Sequence, residues 1–178
     1  MSNYQKLFDD GISWDEDTGL GTLLVKYESN TVESGSTGIG LRVHFDSTSM
    51  QVVSQDVQPH GALLIPASPA VDSGDFDNDS GTDSYLGINY VAFTGGWPGS
   101  ESQDIATITF QKVDGGNNNF EVDYTPSSQP PLYDEFIAEP TTNTVEVDVT
   151  APVITSSGAV TIDENIGADQ VIYTATAD

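Results

Sequence analysis

The 178-residue chain contains no cysteine and only four basic residues. Without cysteine there is no disulfide framework, no thiol nucleophile and no zinc–thiolate site. Four Lys and Arg against 28 Asp and Glu leave a formal net charge of −24. Phosphate backbones and anionic lipid surfaces are held by Lys and Arg, so nucleic acid and anionic membranes are excluded as partners. No apolar run reaches the length of a membrane-spanning helix, so helical membrane insertion is not expected. The 3.6-residue periodicity of an amphipathic helix is missing from every window long enough to form one. The opening Met1–Asp10 has neither the basic nor the apolar region of a signal peptide. Together with the composition, this leads us to expect a piece of a longer, secreted, multidomain protein.

What the chain does have is alternation punctuated by turns. Ile39, Leu41, Val43 and Phe45 alternate with Gly40, Arg42 and His44, which predicts a strand with the apolar set facing a core. Similar runs fall at Thr22–Tyr27, Met50–Val57, Ala62–Ile65, Asp104–Lys112, Phe120–Tyr124 and Thr144–Val149. Tyr85–Phe93 is apolar on both faces and is expected to be central. Asp114–Asn119 reads as a hairpin-like connection, and the prolines of Thr125–Pro131 are expected to break the pattern. Strands at this spacing, with Gly, Asp and Pro turns, predict an all-β, antiparallel β-sandwich over residues 21–149. Residues 1–20 read as an acidic loop or edge segment. From Thr150 the text changes, and residues 150–178 offer only two strands, too few for a stable domain.

The densest feature is Asp72–Asp83, with Asp72, Asp75, Asp77, Asp79 and Asp83 in twelve residues and no basic residue near. Alternation of Asp75, Asp77 and Asp79 lets a tight loop aim three carboxylates at one point. Like charges would spring such a loop open, whereas a hard divalent cation with six to eight oxygen ligands would close it. The plain alternative is a solvated acidic loop. The alternation favours Ca²⁺ at Asp75, Asp77, Asp79 and Asp83, with Asp72 as a further ligand. An EF-hand is excluded, because Ser80 and Leu86 stand where its Gly and Glu belong. Asp15 and Asp17 form a second, weaker metal candidate.

Neither histidine, His44 nor His60, belongs to a catalytic motif, and both read as surface residues. Carboxylate pairs carry no glycosidase signal where 28 acids guarantee that some pair is well spaced. No enzyme activity is expected. Tyr85, Tyr90 and Phe93 read as core rings, whereas Trp97, in a Gly-Gly-Trp-Pro-Gly turn, is the candidate for an exposed ligand contact.

Two family resemblances accompany these readings. Gly38–Ser47, and Asp75–Leu86 followed by Gly95–Pro98, resemble cohesin-like domains. The resemblance implies a jelly-roll sandwich related to carbohydrate-binding modules, a frequent calcium loop and protein recognition. Thr150–Thr155 and Ile162–Gly167 resemble the start of cadherin-like repeats in large RTX-type bacterial adhesins. That resemblance places Glu164 as a candidate calcium ligand, although later aspartates of such a repeat are missing. The expectation is a calcium-binding, non-catalytic module of a secreted or surface-attached adhesin that binds a protein or peptide. A calcium-dependent carbohydrate-binding module and a calcium-stiffened spacer are the alternatives.

Overall fold

The computed structural model describes residues 2–30, 38–57, 63–66, 68–91, 101–128 and 133–141. The chain divides into two units, Met1–Val145 and Glu146–Asp178, and every described residue belongs to the first. His60, Phe93, Trp97, Glu164, the strand expected at Thr144–Val149 and the cadherin-like stretch lie outside the described residues.

Among the described residues there is no helix, and two sheets face one another. The larger contains β1 (Tyr4–Phe8), β2 (Ile12–Asp15), β3 (Leu20–Ser29), β5 (Met50–Val57), β9 (Gln103–Lys112) and β11 (Glu135–Glu139). Its order is β11-β1-β3-β9-β5, with β2 also paired to β3. The smaller contains β4 (Gly38–Phe45), β6 (Leu63–Pro66), β7 (Ala70–Val71), β8 (Ser84–Val91) and β10 (Val122–Ser128). Its order is β10-β4-β8-β6, with β7 also on β8. All pairs are antiparallel except β1 with β11.

Alternation puts one face of each strand between the sheets. Leu23, Val25 and Tyr27 of β3, with Ile108 and Phe110 of β9, pack against Leu41, Val43 and Phe45 of β4 and Leu86 and Ile88 of β8. Each of these residues is buried, and burial of such side chains contributes about 1.5–3 kcal/mol apiece. An extra residue in β9, opposite the Val25–Lys26 step, turns both Ile105 and Ala106 inward.

Several expectations need correction. Residues 1–20 are more than a loop or edge. β1 lies between β3 and β11 and buries Leu7, which strict sequence reading missed because Asp9 and Asp10 mask a short strand. The chain from Asp114 to Asn119 is not a hairpin, since β9 and β10 belong to different sheets. Pro126 does not end its strand. β10 is an edge strand paired only with β4, a position in which a sheet tolerates proline, and the register shifts between Pro126 and Ser128. β11 and β7 were not foreseen.

Candidate metal centre

The outward face of the smaller sheet carries Arg42 and His44 from β4, Tyr85 from β8, and Asp123 and Thr125 from β10. Register places His44 directly between Asp123 and Tyr85, and Arg42 beside Thr125. The aspartate loop, joining β7 to β8, folds back over this face. It is closed at its ends by the Asp72 N–H donating to Asp83 O at 2.8 Å. Asp75 and Asn78 take positive φ values of 47° and 56°, a region that Asn and Asp tolerate better than most residues. Successive short-range turns then coil the segment: Asn78 N–H donates to Asp75 O and Thr82 N–H to Asp79 O, each at 3.2 Å.

The loop brings Asp72 and Asp77 onto His44. Nδ1 of His44 stands 2.9 Å from Asp72 Oδ2 and 3.3 Å from Asp77 Oδ2. The His44 side chain is 0% exposed and the two aspartate side chains are each 1% exposed. This corrects the reading of His44 as a surface residue: it does point away from the core, but the loop covers it. Its other nitrogen, Nε2, lies 2.7 Å from Thr125 Oγ1. The carboxylates are held in turn. Thr82 Oγ1 donates to Asp77 Oδ2 at 2.5 Å, Asp79 N–H to Asp77 Oδ1 at 3.3 Å, and Phe76 N–H to Asp72 Oδ2 at 3.2 Å.

The five aspartates therefore separate. Asp72 and Asp77 converge with His44, and ligand atoms of these three residues lie within 4.8 Å of one another. Asp79 turns an oxygen to the Gly81 N–H at 2.8 Å. Asp83 accepts from the Ser47 N–H at 2.7 Å and the Ser47 hydroxyl at 2.8 Å, which ties the loop to the β4–β5 turn. Asp75 is exposed. Asp15 caps its own turn, accepting from Asp17 and Thr18 N–H at 3.0 and 3.2 Å, and Asp15 and Asp17 are exposed. Among the described residues the His44–Asp72–Asp77 group is the one set of three or more side chains able to hold a metal ion.

Electrostatics around the group are those of crowded anions. Burial raises the Asp123 carboxyl above its usual range, and the charges of Asp77 and Asp79 add to this while His44 opposes it. Burial also raises Glu121, with further contributions from Asp79 and Asp123. Two buried atoms of the group make no hydrogen bond: His44 Nδ1, whose carboxylate neighbours are near but off the bonding direction, and Asp72 Oδ1. Leaving such a buried group unpaired costs about 1–3 kcal/mol, a cost that a cation held by the three side chains would offset.

His44 was the member of this group missed in sequence. A single histidine on the outward face of a strand gives no sign of what will cover it. The available signal was the acidic loop itself, which needed a polar platform to fold against.

Loop and sheet also share an aromatic cluster. The Arg42 guanidinium carbon lies 4.1 Å from the Phe76 ring centroid and 5.4 Å from that of Tyr85. Phe76 meets Tyr85 edge-on, at 5.9 Å and 76°. Phe76 is 46% exposed.

No protein-family model matches the chain, and no curated protein does. Several solved cohesins are similar to it. The sixth cohesin of scaffoldin B from Acetivibrio cellulolyticus, solved in complex with a dockerin, shares 13% identity at a TM-score of 0.49, over 79% of this chain and 99% of that one. A type I cohesin from Pseudobacteroides cellulosolvens shares 11% identity at 0.47, over 83% and 99%. A non-cellulosomal cohesin from the archaeon Archaeoglobus fulgidus shares 10% identity at 0.47, over 76% and 88%.

Proposed function

We propose that this chain is a non-catalytic, cohesin-like recognition module of a secreted or surface-attached protein. In this reading it binds a protein or peptide, and a cation holds its acidic loop in place. The observation that carries the reading is the half-exposed Phe76, stacked on Arg42 and set edge-on to Tyr85. Aromatic residues and Arg are enriched at protein–protein interfaces and among their hot spots. Rings at 76° do not form the coplanar platform that stacks on sugar faces, which disfavours the carbohydrate-binding alternative. His44, enclosed by the loop, is not available to a substrate as a general base.

The alternation of carboxylates by itself suits calcium, with Asp75 and Asp79 beside Asp72 and Asp77. In the fold, however, Asp75 is exposed and Asp79 turns to the Gly81 N–H, so the site offers Asp72, Asp77 and His44 to a divalent cation. Asp83, committed to Ser47, would act by shaping the loop. An adhesin context with a cadherin-like repeat from Thr150 and calcium binding by Glu164 rest on the sequence resemblance alone, and ligand contacts from Trp97 rest on its place in a Gly-Gly-Trp-Pro-Gly turn. Peptide and glycan arrays run with cation and with chelator test the reading. Peptide binding that falls on chelation and in Phe76→Ala supports it. Glycan binding alone would replace it with the carbohydrate-binding module, and no binding under either condition with the stiffened spacer.

A further inference from the structure

We propose that His44, Asp72 and Asp77 form a buried site for a divalent cation of the zinc class, one that takes imidazole nitrogen together with carboxylate oxygen. This deepens the cation-held loop proposed above and rests on it.

The donor set makes the choice. Ca²⁺ is a hard ion that gathers six to eight oxygens, whereas imidazole suits Zn²⁺ and its transition-metal neighbours. Here the most enclosed donor is a nitrogen, and its side chain is 0% exposed. Three protein donors fill three of the four positions that zinc prefers, leaving one for water or an incoming ligand. The two separations from His44 agree. Donors bound at about 2.0–2.1 Å stand roughly 2.9–3.4 Å apart in octahedral to tetrahedral shells. The observed distances from Nδ1 are 2.9 and 3.3 Å.

The competing account is a protonated His44 paired with the two aspartates. A proton on Nδ1 would have to point at an oxygen, yet no acceptor lies in hydrogen-bonding direction from Nδ1. A metal ion on the nitrogen lone pair collects oxygens off that axis. The opposite ring nitrogen completes the case. Nε2 lies 2.7 Å from the Thr125 hydroxyl, and with its proton donated there, Nδ1 keeps its lone pair for the metal. The unpartnered Oδ1 of Asp72 is a further buried oxygen beside the site and can take the fourth position in place of water. Thr82 and Phe76 orient the two carboxylates, as outer partners of metal ligands do.

The tag-free 178-residue chain, stripped with chelator and then dialysed, is titrated with Zn²⁺, Co²⁺ and Ca²⁺. Binding is followed by calorimetry and melting temperature, and Co²⁺ also by visible absorption. We expect Zn²⁺ to bind one-to-one and raise the melting temperature, and Co²⁺ to give the intense visible band of a four-coordinate site. Both effects should vanish in His44→Gln. Thr125→Val, which leaves all three ligands in place, should weaken Zn²⁺ binding by about 10–100-fold. If Ca²⁺ alone stabilises the protein, equally in wild type and His44→Gln, the zinc-class assignment is overturned while the cation-held loop stands. If no ion shifts the melting temperature, both are overturned.

Discussion

The guanidinium of Arg42 sits over the Phe76 ring, with its central carbon 4.1 Å from the centroid. Arg42 belongs to β4 and Phe76 to the loop between β7 and β8, so this contact joins the sheet to its cover. The Arg42 Nη1 also donates to Pro126 O on the neighbouring strand, at 3.1 Å. A half-exposed cation–π pair contributes only about 0.5–1 kcal/mol. Phe76→Ala is therefore expected to lower stability by about that amount, measured by urea melts. Peptide binding in the same variant should fall at least about 30-fold, the equivalent of the ~2 kcal/mol minimum of a hot-spot loss. A binding loss no larger than the stability loss would move the recognition surface elsewhere.

Asp83 offers a prediction about loop closure. Its two oxygens accept from the Ser47 N–H and hydroxyl, and its own N–H donates to Phe45 O at 3.2 Å. Asp83→Ala removes both charge-assisted contacts without touching the His44 group. We expect a stability loss of about 1.5–3 kcal/mol and faster hydrogen exchange across Asp72–Thr82. Unchanged exchange in that segment would show that the loop is anchored by other means.

A second buried link, Tyr124 to Asp9, gives a pH dependence. The Tyr124 hydroxyl donates to Asp9 Oδ2 at 2.6 Å, tying β10 to the turn after β1. Burial first, then the Asp9 charge and hydrogen bond, raise the phenol well above its usual value. The native state thus holds this proton more tightly than the unfolded chain. The corresponding stability is complete below the unfolded value of about 10 and is lost as pH rises from there towards the native one. Urea melts at mildly and strongly alkaline pH should show this loss. In Tyr124→Phe the slope should be shallower, on a baseline about 1–2 kcal/mol lower.

Gly21 sets a packing prediction. A Cβ there would stand 2.5 Å from Trp14 Cε3 and 2.7 Å from Ile12 Cγ2. Trp14 packs on Phe120 at 4.8 Å, with Lys112 Nζ 5.0 Å from its ring. Gly21→Ala must therefore displace the indole and is expected to cost about 1–3 kcal/mol. Trp14 fluorescence, shifted in the variant, reports the displacement; an unshifted spectrum would show that the β3 backbone around Gly21 moves instead.

The β-sandwich was legible in the sequence because a period of two is a local property. Leu41, Val43 and Phe45 could reach a core only by leaving Arg42 and His44 on the opposite face, and this is where they lie. The acidic loop was legible as a cation candidate for the same reason, since alternating Asp75, Asp77 and Asp79 is visible without a fold. Partners distant in sequence were not. β1 with β11 joins segments 131 residues apart, and no local pattern announces a parallel pairing. Tertiary structure likewise decided which aspartates meet. Closing Asp72 onto Asp83 and laying the loop over β4 turned Asp72 and Asp77 onto His44 and sent Asp83 to Ser47. A loop's curvature selects among its carboxylates, and the strand beneath it supplies the remaining ligand. Spacing alone determined that a cation could be wanted here; only packing decided that its nearest donor would be a nitrogen.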